Sequence, residues 1–322
     1  MKLKKRILLL LTTAFITSCS ISIPINLPVD LGEKLSKSSN SSDSSEILRK
    51  KNLDLKPDGK SKFEWNLKIT SDTGKKLSNE KIEFSVEAIN PDLEWRNVDF
   101  LAKKFGSTSN KFKTQVGSGI IKLIGSVAPK QGFTDKNGEI TVVYTSSNIG
   151  SNTEDSGQEK IVAKYGDKKM EQIINLSYPD MVAIPSVDNF LRISGATGVY
   201  VHKNVAKKLL ALVEKIKEAN WTIPITITAG NLRHGGLYPP HFTHRTGLEI
   251  DFRPMSKDGK PTWCNPDGKY AENYDREKTI EFINLAKVEG VTEIFFNDPK
   301  LSNIGVTPLE GHSDHLHISF SL

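Results

Sequence analysis

The chain has 322 residues, of which 37% are hydrophobic and 25% are charged, as expected for a globular protein with room for two domains. Its net charge of +6 is concentrated at the start, because residues 1–18 hold four of the 44 basic residues and no acidic one. The remainder is nearly neutral, which excludes the basic footprint of a nucleic-acid-binding protein.

Residues 1–18 predict an export signal. They combine a basic start with an apolar stretch over residues 7–15, which is too short to span a membrane. The signal ends in Ile16-Thr17-Ser18-Cys19, which resembles a bacterial lipobox. This resemblance implies that Cys19 is acylated and becomes the mature N-terminus; the alternative is an ordinary secretory signal with a chance cysteine. Since Ser20 rather than Asp follows, it also implies a lipid anchor in the outer membrane, facing the periplasm.

Residues 19–60 predict a flexible tether. From Ser36 to Ser45 the chain is nearly all Ser with Asn, Asp and Lys, and such a segment cannot bury enough apolar surface to order itself. A tether of this kind would let an anchored protein reach away from the membrane.

Residues 61–178 predict a β-sandwich. Apolar residues alternate with polar ones around Trp65 and around Val142, and turns rich in Gly, Asn and Asp separate the alternating segments. Residues 133–145 resemble the bacterial Ig-like repeats of the invasin and intimin type. The resemblance implies a spacer or a binding module whose partner is unknown. Because no histidine falls in this segment, we assign it no chemistry.

Residues 185–322, which follow a boundary at 179–185, predict an α+β domain with a small antiparallel sheet. Helices and strands are mixed here without a regular βαβ alternation. The predicted elements are a helix over 203–220, a strand that begins at Ile223 and ends at Gly230, a helix from Asp275 as N-cap to Gly290, and a strand over 291–296.

Two histidine-rich segments predict a metal site in this domain. All seven histidines lie at or after position 202, and five of them fall within residues 241–251 and 311–318. In a strand, Leu248 and Ile250 face the core and leave Asp251 on the opposite face, and the C-terminal strand presents His317 in the same way. Two neighbouring antiparallel strands would therefore bring Asp251 and His317 together. Imidazoles and a carboxylate at this density are typical of catalytic zinc.

The same two segments resemble a known enzyme family. The matching motifs are His241-x-x-His244-x-x-Gly247-Leu248-Glu249-Ile250-Asp251 and His312-x-x-His315-x-His317, with Arg233-His234-Gly235-Gly236 upstream. They are similar to those of the penicillin-insensitive murein endopeptidases, in the group that includes lysostaphin and the D-Ala-D-Ala carboxypeptidases and dipeptidases. The resemblance covers roughly residues 185–322.

This resemblance implies roles for individual residues. His244, Asp251 and His317 would be the zinc ligands. His315 and His312 would act beside the metal as base and transition-state donors, and Arg233 would stabilise the oxyanion or hold a substrate carboxylate. The residues expected to orient the ligand rings from around the metal are His241, Glu249 and Asp314. For Asp314, a loop carboxylate in solvent is the alternative.

The expected function is zinc-dependent hydrolysis of peptide cross-links in peptidoglycan, with a metal-activated water and a histidine that moves the proton. The chain has no His-Glu-x-x-His motif, so a histidine has to serve as the base. One alternative is a D,D-carboxypeptidase that acts on stem peptides. Others are a non-catalytic lipoprotein that binds zinc or peptidoglycan, and an adhesin in which the Ig-like domain carries the role.

The remaining cysteine and histidines are expected to be structural. Cys264 is the one cysteine besides Cys19, so no disulfide framework is expected, and a buried, inert thiol is favoured over a metal ligand. We expect His202, at the start of the first helix, and His234 to be structural or surface residues.

Overall fold

The computed structural model describes residues 53–89, 93–150, 157–194 and 198–322, and this part is mostly β-sheet. The predicted export signal, Cys19 and the Ser-rich stretch lie outside the described residues. Within those ranges, no helix is long and apolar enough to cross a membrane.

Two sheets form the N-terminal part and share one hydrophobic core, as the alternating pattern predicted. Their order is β1-β8-β7-β3-β5 in one sheet and β2-β6-β4 in the other. Trp65 and Val142, opposite each other in the smaller sheet, pack with Phe84 and Ile161 of the larger one. The strands are β1 (Leu53–Leu55), β2 (Lys62–Lys68), β3 (Lys81–Ala88), β4 (Ser126–Ala128), β5 (Gln131–Phe133), β6 (Glu139–Thr145), β7 (Gly157–Tyr165) and β8 (Lys168–Leu176).

Strand β1 corrects the predicted extent of the tether. It pairs in parallel with the end of β8, and Leu53 and Leu55 pack against the sandwich core. The ordered chain therefore begins before residue 60. Three residues are too few for a period-two signal to stand out beside a long polar segment.

Two helices interrupt the sandwich between β3 and β4, and the sequence analysis did not predict them. They are α1 (Val98–Phe105) and α2 (Ser109–Gly117), and Asn97 caps α1 by accepting a hydrogen bond from the backbone N–H of Phe100. We call this pair the helical insert. Its hydrophobic cluster consists of Leu101, Ala102, Phe105, Phe112, Ile121, Ile149 and Leu237. Leu237 comes from the C-terminal part, so the insert joins the two parts of the chain.

A buried ion pair connects the segment before the insert to the sandwich. Arg96 donates to the fully buried Glu159 carboxylate, which also accepts from the Tyr144 hydroxyl at 2.6 Å and from the Gly125 backbone N–H at 2.9 Å. The same guanidinium nitrogen lies 2.8 Å from the carbonyl oxygen of Leu123. The buried carboxylate is thus fully supplied with donors, as a charge in a protein interior has to be.

We expect Arg96→Lys to lower the free energy of unfolding by about 1.5–3 kcal/mol, because the shorter lysine side chain does not reach the position of the guanidinium nitrogen and the hydrogen bond to the charged Glu159 is lost. Urea unfolding of the two proteins measures this difference. Lys81→Ala, which removes the exposed ion pair with Glu83, is the control and should cost less than about 1 kcal/mol. Equal effects would contradict the role assigned to the buried pair.

The C-terminal part is a five-stranded sheet with two helices on one face. The sheet order is β10-β12-β13-β15-β14, and the helices and the sheet share one large core. The elements are β9 (Met181–Ala183), β10 (Leu191–Ile193), β11 (Tyr200–His202), α3 (Lys203–Glu218), β12 (Ile225–Ala229), β13 (Glu249–Phe252), α4 (Arg276–Val288), β14 (Val291–Phe295) and β15 (Leu316–Phe320).

Both predicted helices are confirmed to within two residues at each end. Asp275 caps α4 as predicted, and His202 caps α3 by accepting a hydrogen bond from the backbone N–H of Asn204. The prediction of a purely antiparallel sheet was wrong at one edge. Strand β10 pairs in parallel with β12 after a crossover through α3. Strand β10 has only three residues, too short for its alternation to be read from the sequence.

Residues 47–322 form one compact unit, in which the sandwich contacts the C-terminal part directly. The Leu237 backbone N–H donates to the carbonyl of Asn148, and that of Tyr178 donates to the carbonyl of His234, both at 2.9 Å. A Cβ at Gly150 would collide with the backbone carbonyl of Gly235. The sandwich therefore supports the segment that immediately precedes His241.

Candidate metal centre

Strands β13 and β15 bring the predicted ligands together. The two strands are antiparallel neighbours, and Asp251 stands directly opposite His317 in their register. Ile250 and Ile318 fill the core on the other face, as the alternation predicted. Asp251, His317 and His244 are all buried, with exposures of 2% or less. A carboxylate and two imidazoles therefore meet away from bulk water.

Three ligand atoms of this group form a triangle. His244 Nε2, Asp251 Oδ1 and His317 Nδ1 are separated by 3.0 Å along each side. In a tetrahedral zinc site with bonds of roughly 2.0–2.1 Å, neighbouring ligand atoms lie about 3.3 Å apart. The three atoms thus have close to the spacing that a tetrahedral metal requires, and nitrogen and oxygen donors are suitable for zinc. The residues fit the metal that the sequence predicts.

The ring of His244 is oriented by the strand beside it. Its Nδ1 donates a hydrogen bond to the carbonyl oxygen of Gly230, 2.6 Å away, directly after the end of β12. Since that oxygen can only accept, we assign the proton to Nδ1, which turns the Nε2 lone pair towards Asp251 and His317. A backbone carbonyl that holds the far nitrogen of a histidine in this way is typical of metal ligands.

His241 lies closer to the centre than the sequence analysis expected. Its Nδ1 is 3.2 Å from Oδ2 of Asp251, and its ring stacks on Tyr238 with 5.2 Å between centroids. His241, His244 and Asp251 could also hold a metal ion, since their ligand atoms lie within 4.8 Å of one another. Two possible donor sets therefore share His244 and Asp251. The equal 3.0 Å spacing favours the set that includes His317.

His315 lies beside the triangle and is oriented by its neighbour in sequence. Its Nδ1 donates to the carboxylate of Asp314 at 2.8 Å, while its Nε2 lies 3.8 Å from Oδ2 of Asp251. Asp314 therefore contacts a histidine ring, as predicted. The His312 ring is 4.8 Å from that of His315, and its Nδ1 hydrogen-bonds to the carbonyl of Glu310 at 3.1 Å. The structure thus places His315, rather than His312, against the carboxylate.

The described contacts of Glu249 and Arg233 do not include a ligand ring. The carboxylate of Glu249 accepts a hydrogen bond from the Thr246 hydroxyl at 3.2 Å, and it forms no hydrogen bond to any described histidine. The described hydrogen bonds therefore place the Glu249 side chain on the loop before β13, and its role towards the ligand rings stays a prediction. Arg233 belongs to the segment that packs against the sandwich, and it is absent from the described lining of the cleft beside the metal centre.

The protonation states of Asp251 and the surrounding histidines follow from their burial and from the attraction between the carboxylate and the imidazoles. Burial raises the pKa of Asp251, but the imidazoles of His244 and His317 outweigh that effect and hold it well below its usual value. Burial lowers the pKa of His244, and the facing Asp251 carboxylate more than compensates, so the net change is upward. Burial and neighbouring His244 lower the pKa of His241 to about 3. The centre therefore offers an ionised carboxylate and a neutral His241 at neutral pH.

A cleft of about 310 Å³ opens onto this centre. His241, Asp251, Asp314 and His315 form one wall. The rest of the lining consists of Thr228, Ala229, Arg253, Pro261 and Thr262. The imidazole of His315 and the ionised Asp251 therefore face a space in which a small peptide segment could bind.

Arg253 is a cleft residue that the sequence analysis missed. It follows Asp251 by two positions, and its Nη2 donates to the hydroxyl of Ser194 at 2.9 Å. Its backbone N–H still pairs with the carbonyl of Thr226, so the strand-like alternation continues past the end of β13. The period-two pattern that placed Asp251 on this face also places Arg253 there, and that signal could have identified it.

Cys264 and His202 are structural, in agreement with the prediction. Cys264 is a buried free thiol outside the cleft lining, and burial raises its pKa to about 11. His202 caps α3. The one described contact of His234 with the sandwich is through its backbone carbonyl. None of these residues contributes a described ligand atom to the centre.

Comparisons with known proteins give distant structural matches. No protein-family model matches the chain, and no curated protein sequence matches it significantly. The D0–D1 domain of intimin matches at 12% identity with a TM-score of 0.22, over 39% of this chain and 41% of that one. A C-terminal 282-residue fragment of intimin, in complex with the intimin-binding domain of its receptor, matches at 12% identity with a TM-score of 0.24, over 46% and 40%. Domains 5–6 of the surface-layer protein SbsC match at 10% identity with a TM-score of 0.20, over 84% and 79%.

The intimin structures are of the type that residues 133–145 resemble. This chain spans about two fifths of each of them. TM-scores near 0.2 carry no inference about the fold or the activity of this chain.

Proposed function

We propose that this protein is a zinc-dependent hydrolase that cleaves peptide cross-links of peptidoglycan. The observation that carries the proposal is the triangle of His244, Asp251 and His317 beside an open cleft. A metal held by three protein ligands keeps a position free for water, which distinguishes catalytic from structural zinc. When bound there, zinc would lower the pKa of its water towards neutrality and polarise the scissile carbonyl.

The proton transfer is assigned to His315. Asp314 holds the proton on Nδ1 of His315, so Nε2 faces the centre and is free to accept a proton and return it to the leaving amine. The distance of 3.8 Å from this Nε2 to Asp251 Oδ2 brings it next to the metal ligands. His312 is assigned a supporting place, because its ring contacts His315 and its Nδ1 contacts a backbone carbonyl.

The substrate class rests on the resemblance to murein endopeptidases in residues 241–251 and 312–317. The predicted lipid anchor at Cys19 supports it, because an outer-membrane lipoprotein that faces the periplasm would have peptidoglycan within reach. A D,D-carboxypeptidase would use the same chemistry on the terminal bond of a stem peptide. The test below separates the two activities by their products.

A non-catalytic zinc protein is the second candidate, and His241 favours it. Its Nδ1 lies 3.2 Å from Asp251, close enough to supply a fourth protein ligand. Four protein ligands would close the coordination shell and leave no position for water. Such a protein would bind zinc and leave cross-linked peptides intact.

The test is mass spectrometry of cross-linked muropeptides incubated with the soluble chain from residue 20 onwards. We expect the zinc-loaded protein to convert dimers to monomers, and chelated protein or the His317→Ala variant to leave them intact. His202→Asn is the matched control, because it removes an imidazole that caps α3 and keeps an acceptor at that helix cap. Release of free D-alanine from intact dimers would indicate a carboxypeptidase. Intact dimers with zinc bound would contradict the hydrolase and favour the second candidate.

A further inference from the structure

We propose that Arg253 and Thr262 form a carboxylate-binding subsite in the cleft, which selects peptides that carry a free carboxylate near the bond to be cut. This inference deepens the proposed function and rests on it. Both residues line the same cleft as Asp251 and His315. A ligand bound through them would therefore lie beside the metal centre.

Arg253 has no acidic partner among the residues of the described ranges. Its described side-chain contact is the hydroxyl of Ser194, made through Nη2 alone, and it is only partly buried. The two carboxylates of the cleft already have partners: Asp251 contacts the imidazoles, and Asp314 holds His315. A guanidinium has five donors in a planar fork that matches a carboxylate, so most of its capacity is available to a ligand.

Thr262 is an independent indication of a ligand at the same place. It is 3% exposed, and its hydroxyl has no hydrogen-bond partner in the described part of the chain. Buried hydroxyls in folded proteins almost always have a partner, so one that lacks it beside a cleft indicates a place for a polar ligand atom. A carboxylate offers an acceptor both to this hydroxyl and to the guanidinium.

The subsite predicts a specific discrimination. A peptide with a free carboxylate would form charge-assisted hydrogen bonds with Arg253, whereas its carboxamide would offer one neutral acceptor and place an NH2 donor against the guanidinium. We expect the free acid to be preferred by roughly 100-fold, the range that recognition of one charged group supplies.

The test compares a synthetic cross-linked dimer of peptidoglycan stem peptides with the same dimer carrying carboxamides in place of its free carboxylates, using the zinc-loaded soluble chain. Binding is measured by calorimetry and cleavage by kcat/KM. We expect Arg253→Gln to remove the preference for the free acid, Arg253→Lys to keep part of it, and Thr262→Val to reduce it several-fold. Zinc content and the circular dichroism spectrum establish that each variant is folded. Arg192→Gln, which removes an exposed arginine of β10 outside the cleft, is the matched control.

The outcomes separate the subsite from the proposed hydrolase. If the wild-type protein bound and cleaved the acid and the amide equally well, the subsite would be overturned, whereas the proposed hydrolase would be supported by the cleavage. Tighter, Arg253-dependent binding of the acid without any cleavage would support the subsite and contradict the hydrolase. The subsite would also be overturned if Arg253→Gln weakened the binding of the acid and of the amide by the same factor. Failure of the wild-type protein to bind either peptide would overturn it as well.

Discussion

Replacing Asp251 by Ala is expected to abolish zinc binding and peptide hydrolysis together. The carboxylate contacts three imidazoles, with Oδ1 at 3.0 Å from His244 and His317 and Oδ2 at 3.2 Å from His241. It is also the only anionic member of both possible donor sets in the described structure. Its loss leaves buried imidazoles that face one another without a counter-charge. We expect zinc affinity to fall by more than about 100-fold, beyond the effect of removing a group that only orients a ligand.

The measurement is zinc stoichiometry after dialysis, combined with muropeptide cleavage. Glu249→Gln is the matched control, because it removes a carboxylate two residues away on the same strand that contacts Thr246 and no described histidine. That variant should retain zinc. Thermal unfolding gives a second readout, since zinc at 100 times its Kd adds about 2.7 kcal/mol to the stability of a protein that binds it only when folded. Full zinc retention in Asp251→Ala would contradict the metal centre.

The clustering of Asp251 and His317 was predictable because strand alternation places both residues. Ile250 and Ile318 both face the core, so Asp251 and His317, the next residue along and the residue before, both lie on the opposite face of the sheet. A register shift of one residue would turn the apolar side chains of a strand away from the core. The observed register sets these two residues directly opposite each other. The position of His244 also follows, because a loop of only four residues separates it from β13.

The helical insert could not be predicted, because its core is not local. Helices α1 and α2 have eight and nine residues, too few for helical periodicity to stand out. Their shared core is completed by Leu237, which lies more than a hundred positions along the chain. Sequence windows detect local pattern, and this core depends on a long-range contact.

Arg253 was missed for a different reason: its alternation with Asp251 continues beyond the predicted strand.

The insert also bears on the metal centre, because it packs against the loop that carries two of its histidines. Phe105 stacks on Phe242 with 4.6 Å between ring centroids, and Phe242 lies between His241 and His244. Lys111 of α2 lies over the same Phe242 ring at 4.8 Å. The helical insert and this loop thus share one hydrophobic cluster. Residues 185–322 alone would expose Leu237 and Phe242, so the complete soluble chain is the appropriate protein for every experiment above.

Phe105→Ala is therefore expected to lower both stability and zinc affinity. Phe105 is 1% exposed, and truncation of a buried Phe costs about 3–5 kcal/mol through lost burial and the cavity left behind. The cavity lies directly behind Phe242, so the loop with His241 and His244 loses its support. We expect zinc affinity to fall by roughly 10-fold, as when a group that positions a ligand is removed.

Urea unfolding and zinc titration of the folded variant measure the two effects separately. Phe133→Ala is the matched control, because Phe133 is 61% exposed on β5 of the same sandwich and its loss should change stability by less than about 0.5 kcal/mol. If Phe105→Ala lost stability but bound zinc as tightly as the wild type, the insert would stabilise the fold without positioning the ligands. A parallel loss of both would mean that the helical insert, although it lacks histidines, helps to hold His241 and His244 in position.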